Sequence, residues 1–312
     1  MVQALAVPGR NEAAEVKEVS LAAPGPGEVR VRVEAASVNG IDAAVAAGYL
    51  WDMIPHTFPV VLGRDFAGTV ESVGDGVDDV AVGDLVTGVI TAMTLGTGTI
   101  AEAVVVSAGS LVPVPADVSA AEAAALGLAG VTAHDLVAAL NLTVEDTVLV
   151  AGATGGVGAF VVQLAAHTGA TVLATARPGA ATDFVLGLGA TAAVDQTADL
   201  AAGVTAAAPG GITAVVHAAG DAAALSALLP AGGRLASALG ASTDVVGRDD
   251  VAVTAVMASA TPEVVGELLT AVADGSLRVP VARTYALDSA AQALADFGTP
   301  KQGKLVVLAG AR

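Results

Sequence analysis

Cysteine is absent from this 312-residue chain. That excludes disulfides, iron–sulfur clusters and any zinc site built on thiolates. Lysine is nearly absent: Lys17, Lys301 and Lys304 are the only three. Acidic residues outnumber basic ones 31 to 13, for a formal charge of −18. Such a surface repels nucleic acid and anionic membranes, because phosphate binding needs clustered Lys and Arg. Aromatics make up 3%. Charged residues are only 14%, too few for a disordered chain. The apolar runs are cut by Gly, Pro, Asp or Thr before about 18 residues, so no membrane span is expected. The opening MVQALAVPGRNEAAEV lacks a basic region followed by a long apolar stretch. No signal peptide is expected, and a cytoplasmic protein is the default reading.

What is present is apolar material, 54% of the chain, enough for two domains. The first third reads as β-rich. Strands are expected at 2–7, 28–38, 64–73, 84–90 and 99–107, separated by turns such as PGPG and GDG. Their spacing suggests a small barrel or partly open sheet, with a short helix at 39–48. Ser119 with Glu122 forms a capping-box pattern that opens a helix. A second helical run covers 132–140.

Strands and helices then alternate. Strands are expected at 147–151, 171–176, 192–195, 212–218, 234–238 and 251–257. Helices are expected at 156–167, 180–188, 199–207 and 221–229. Near-continuous Val/Leu/Ala strands alternating with helices mean a parallel sheet covered on both faces. Six such strands fit a complete doubly wound dinucleotide fold. The tail adds a helix at 262–273, a strand at 278–287, a helix at 289–297 and a strand at 304–308.

The stretch VLVAGATGGVGAFVVQLA, from Val148 to Ala165, carries Gly152, Gly155, Gly156 and Gly158 at a strand-to-helix junction, with Ala153, Thr154 and Val157 between them. A pyrophosphate needs close backbone approach there, where a Cβ would block it. The helix end presents free N–H groups and its positive dipole to the anion. The strand–turn–helix context is the one such a motif requires. NAD-binding versions carry an acid at the end of the next strand, about 20 residues on, for the ribose 2′-OH. Here that strand ends Thr175-Ala176-Arg177. The forked cation of Arg177 suits a 2′-phosphate, so NADPH is expected over NADH. The bland alternative is a solvated surface arginine.

With these segments in view, the chain resembles the medium-chain dehydrogenase/reductase superfamily, in its zinc-free quinone oxidoreductase and enoyl reductase-like branch. The likeness rests on ASVNGIDAAVAAGYL (36–50), FPVVLGRDFAGTVESVGDGV (58–77), VGDLVTG (82–88), AEAAALGLAGVTAH (121–134), the glycine turn, AGGRLAS (231–237) and GKLVVL (303–308). It implies an α/β protein with two domains. A GroES-like β-rich catalytic domain is made from 1–118 and 260–312. A Rossmann NADP(H)-binding domain with a doubly wound parallel six-stranded sheet spans 119–259.

The resemblance also assigns residues. Asn39 matches an asparagine near nicotinamide and substrate, although the usual following proline is Gly40 here. Asp42 matches the acid of the same motif, with chemistry or helix bracing as its role. Thr132 matches a residue on the nicotinamide side. Ala218, Ala219 and Gly220 match backbone that passes the cofactor ribose after the fourth strand, as do Leu239, Gly240 and Ala241 after the fifth. Zinc-dependent relatives hold zinc with a Cys, a His in a GHE segment and a second Cys or Asp. Here that segment reads Gly63-Arg64-Asp65, and the four histidines show no ligand spacing, so no metal is expected.

Tyr49, Trp51, Met53 and Phe58 are candidates to line an apolar substrate pocket, or ordinary core. Tyr49 is a candidate proton donor to a developing enolate, as is water. Without a Lewis acid, hydride addition to a quinone or an α,β-unsaturated carbonyl compound is easier than alcohol oxidation. The resemblance therefore implies an NADPH-dependent reductase of that kind. The alternatives are a tailoring enoyl reductase of a biosynthetic pathway, or a non-catalytic NADPH-binding sensor. A small-molecule substrate is expected, with no nucleic acid and no membrane as partner. A homodimer is expected, pairing through the 251–257 strand.

Overall fold

The structure is a computed structural model and describes residues 1–310. The chain divides into two compact units. The first takes Met1–Leu128, Ala260–Pro300 and the segment that begins at Lys304; the second takes Ala129–Ser259 and Lys301–Gly303.

The first unit is built on two sheets. The smaller has three antiparallel strands in the order Glu15–Val19, Val2–Val7, Val60–Val61. The larger runs Val281–Ala286, Lys304–Leu308, Glu28–Ser37, Asp65–Val73, Leu85–Val89, Leu111–Pro113, with Ala103–Ser107 also paired to Glu28–Ser37. Glu28–Ser37, EVRVRVEAAS, shows the period-two logic of a half-buried strand. Val29, Val31 and Val33 are fully buried, while Arg32 stands exposed on the other side. Those valines join Leu5, Phe66, Ile100 and Leu305 in one core.

The second unit holds six strands in the order Ala192–Asp195, Thr171–Ala176, Thr147–Ala151, Ala214–His217, Arg234–Ser237, Ala252–Ala255. Every pairing among them is parallel. The strand order reverses direction at Thr147–Ala151, which is the switch point where such sheets bind ligands. Ala252–Ala255 lies at one edge.

The pattern-based expectations differ from the structure at four points. Strands Glu15–Val19, Val60–Val61 and Leu111–Pro113 were missed, being short or half-exposed. A one-turn helix, Thr243–Val246, was missed as well. The two helices expected around 119 and 132 are one, Ala120–Leu140. Gly127, which reads as a breaker, serves close packing instead. A Cβ there would sit 2.7 Å from the Asp65 Cβ. This joined helix is long and apolar enough to cross a membrane, contrary to the reading from interrupted runs. Of its apolar window 67% is buried inside the protein, as a core helix requires.

Candidate active site

In the second unit the glycine turn lies between strand Thr147–Ala151 and helix Gly156–His167. Gly152 has φ +85°, a conformation that favours glycine. Its amide donates to Thr175 Oγ1 on the neighbouring strand at 3.0 Å, which fixes the turn. Gly158 packs its α-carbon against the turn backbone: a Cβ there would meet Gly152 O at 2.2 Å. Gly155 is the N-cap and makes no side-chain cap, and Ala159 N–H donates to Gly155 O. The amides of Gly156, Val157 and Gly158 precede that bond and have no partner inside the helix. Ala153 is buried within the turn. Thr154 O accepts from Gly303 N–H at 2.8 Å, so the Lys301–Gly303 segment is stitched to the same turn. These features fit a dinucleotide: small residues around a turn, helix-start amides with no partner inside the helix, and a helix dipole.

Arg177 follows strand Thr171–Ala176 and is exposed. No carboxylate occupies that strand end. Beyond the fourth and fifth strands, Ala218, Ala219, Leu239 and Gly240 lie in the turns that leave the sheet. His217 holds these turns: its Nδ1 is 2.9 Å from Ser237 Oγ and its Nε2 3.1 Å from Gly220 O. Ser237 Oγ in turn accepts from the Leu239 and Ala241 amides, both at 3.1 Å. Thr132 lies in helix Ala120–Leu140, half-buried.

The first unit gathers a buried polar cluster that sequence reading found only in part. Lys304 Nζ donates to Asn39 Oδ1 at 2.6 Å and to Val38 O at 3.2 Å. Asn39 Nδ2 donates to Asp65 Oδ1 and Oδ2 at 3.2 and 3.1 Å. Asp65 also accepts from Ser37 Oγ at 2.7 Å and from the Leu128 amide at 3.1 Å. Lys304, Asn39, Asp65 and Ser37 are all buried. The Asn39 amide therefore bridges a cation and a carboxylate. Both its ends are engaged inside this unit.

Asp42 accepts the Asn39 and Gly63 amides, both at 2.8 Å. Of the two roles open for it, this geometry is that of a brace, tying helix Gly40–Ala46 to the 63–64 turn. Burial pushes its carboxyl up to about 6, aided by Asp65 and opposed by its two amide donors and Lys304. A folded pKa above the unfolded value means the folded chain takes up a proton. Its stabilising share is complete below about pH 4 and is lost as pH rises through 6. Unfolding free energy should fall by about 2–3 kcal/mol over that window. Denaturant titrations across pH 4–7 check this, with the drop absent from Asp42→Asn.

The aromatic candidates separate. Trp51 is buried, its ring 5.1 Å from His56 and 5.2 Å from Phe58. Tyr49 and Met53 are each 76% exposed. The helix ends before Tyr49 and the following turn sends it outward, so these four residues do not form one lining. Among the described residues, no polar partner positions Tyr49 as a proton donor. Among the described residues no group of three or more His, Cys, Asp or Glu is placed to hold a metal ion. The described donor set does not fit zinc.

A β-rich unit carrying a buried polar cluster, with a six-stranded parallel sheet bearing a bare glycine turn, defines the two-part scaffold of nicotinamide dehydrogenases. The family model described as alcohol dehydrogenase GroES-like domain matches residues 25–116, and that described as zinc-binding dehydrogenase matches 188–307. A crystal structure of an alcohol dehydrogenase superfamily protein from Novosphingobium aromaticivorans is 30% identical, with TM-score 0.83, over 99% of this chain and 100% of that one. A mycobacterial protein solved with NADPH is 28% identical, with TM-score 0.83, over 99% of this chain and 100% of that one. The quinone-oxidoreductase homolog of Spinacia oleracea, a chloroplastic protein, is 36% identical over 204 residues, 63% of this chain and 61% of that protein. The matched part spans 55–61% of the length of three such plant relatives. The chain belongs to the medium-chain dehydrogenase/reductase superfamily.

Proposed function

We propose that the chain is an NADPH-dependent, zinc-independent reductase of quinones or α,β-unsaturated carbonyl compounds. The observation that carries this reading is the glycine turn and the helix-start amides that have no partner inside the helix. Support also comes from Arg177 at the strand end, the NADPH-bound neighbour and the quinone-oxidoreductase relatives. When bound, NADPH supplies the hydride. The chain's share is to hold the diphosphate on the amides of 156–158 and to hold the acceptor by hydrogen bonds in the β-rich unit. Positioning and a few donors suffice when the negative charge that develops is delocalised. Two copies pair, in this reading, through the Ala252–Ala255 edge.

The test is NADPH oxidation with a panel of quinones and enones, with simple alcohols and NADP⁺ as the control. Turnover with the first group alone is expected. No turnover with any acceptor, while NADPH still binds, would favour the sensor reading. Turnover only with carrier-bound enoyl chains would favour a tailoring enzyme. Arg177→Ala should weaken NADPH binding about 10–100-fold, the worth of a charge-assisted contact. NADH binding should stay unchanged. Titrations that followed nucleotide fluorescence and found equal losses for both would remove the 2′-phosphate role.

A further inference from the structure

Arg64 precedes strand Asp65–Val73 and is 7% exposed. Its guanidinium is anchored on one side only. Nη1 donates to Ala92 O at 2.8 Å and more weakly to Ile90 O at 3.5 Å. The Arg64 carbonyl accepts from the Ile90 amide, so backbone and side chain grip the same 90–92 segment. Among the described residues, Nε and Nη2 have no hydrogen-bond partner and the cation has no ion pair. Yet no sealed side-chain nitrogen or oxygen lacks a partner. Nε and Nη2 therefore keep some solvent exposure although the residue as a whole is largely buried. Burial pushes the cation's pKa down, and the field of Asp42 opposes that shift. It stays protonated, as guanidinium does in proteins.

A buried fork with three N–H donors free and its other arm fixed is a preorganised oxygen-binding group. A loop staple alone would need only Nη1. We propose that Arg64 is a catalytic residue that binds the acceptor's carbonyl oxygen and stabilises the oxyanion that forms there. The proposal rests on the reductase reading and deepens it. Hydride from NADPH adds to the carbon conjugated with the carbonyl. The π electrons shift onto oxygen, which Arg64 Nε–H and Nη2–H hold as enolate or hydroquinone anion. Water then protonates the α-carbon of the enolate, or the oxygen of the hydroquinone anion. The balance is acceptor plus NADPH plus H⁺ to reduced acceptor plus NADP⁺. The site selects acceptors with an exposed carbonyl oxygen over simple alkenes.

The test uses 4-nitrophenol as a stable oxyanion probe, read by its phenolate absorbance, alongside acceptor kinetics. Wild type is expected to draw the bound probe toward phenolate. Arg64→Leu should abolish that shift and Arg64→Lys retain part of it, keeping charge but not the fork. Arg64→Leu should lower kcat/KM for acceptors about 10²–10³-fold, with NADPH affinity within about twofold. Where a variant does not fold, the ¹⁵Nε resonance of Arg64 in the wild type gives the answer: a shift on adding 4-nitrophenol supports the site. No shift overturns it. Equal phenolate binding or equal turnover in a folded Arg64→Leu also overturns it and leaves the reductase reading standing. Phenolate held at Arg64 without NADPH turnover on any acceptor supports the site and sinks the reductase reading.

Discussion

Gly158→Ala is expected to weaken NADPH binding about 10²-fold or more, the loss of two or more amide–phosphate hydrogen bonds. The added methyl would lie 2.2 Å from Gly152 O and 2.7 Å from Ala153 Cα. Both are backbone atoms and cannot rotate aside. The turn must open or the helix must slide, and either change pulls the amides of 156–158 off a common anion. Overpacking of this kind also destabilises the fold, by about 1–3 kcal/mol. Gly155→Ala is the matched control. Its Cβ would meet nothing nearer than Gly152 O at 3.3 Å, and its φ is −77°. Its stability should stay within about 1 kcal/mol of wild type. Nucleotide titration and guanidinium denaturation of both variants check the contrast. Two variants with equal stability would contradict this account of the turn.

Lys304→Met is expected to cost about 3–5 kcal/mol, the penalty for stripping one charge from a buried ionic cluster. The shape is nearly kept, so packing loss is small. What is lost is the lysine donor to Asn39 Oδ1 and the cation whose field offsets Asp42 and Asp65. The loss should be smaller at pH 5 than at pH 8, because protonated Asp42 no longer needs the cation. The half-exposed Lys17, paired with Glu15 on the surface, gives the reference. Lys17→Met should change stability by less than about 0.5 kcal/mol. Urea titrations at the two pH values measure both. A Lys304→Met effect as small as that of Lys17→Met would mean the cluster is not coupled as the distances imply.

The second unit was legible because its physics is local. A parallel strand buried on both faces must be a continuous apolar run, and 147–151, 171–176 and 192–195 match the observed elements to the residue. The glycine turn announced itself for the same reason, since φ +85° at 152 favours glycine and the contact at 158 leaves no room for a Cβ. The first unit was harder. Its edge strands are short, and its polar cluster joins Ser37, Asp65 and Lys304 across more than 260 positions. No periodicity carries that information. Signals were present all the same. Lys304 opens the apolar strand KLVVL, and Asp65 opens DFAG, and each is a charge where a strand is about to be buried. Arg64 was noticed only for the zinc ligand it replaces. Its one-sided anchoring could not be read from spacing. Tyr49 and Met53 went the other way, because an aromatic cluster in sequence splits between core and solvent once the helix turn at Ala47 is made.

Calorimetric titration of NADPH and of NADH into chelator-treated protein tests the account most directly. One NADPH site per chain, tighter than for NADH and unaffected by chelation, is the predicted result. No heat of NADPH binding, or binding that returns only when zinc is restored, would contradict it.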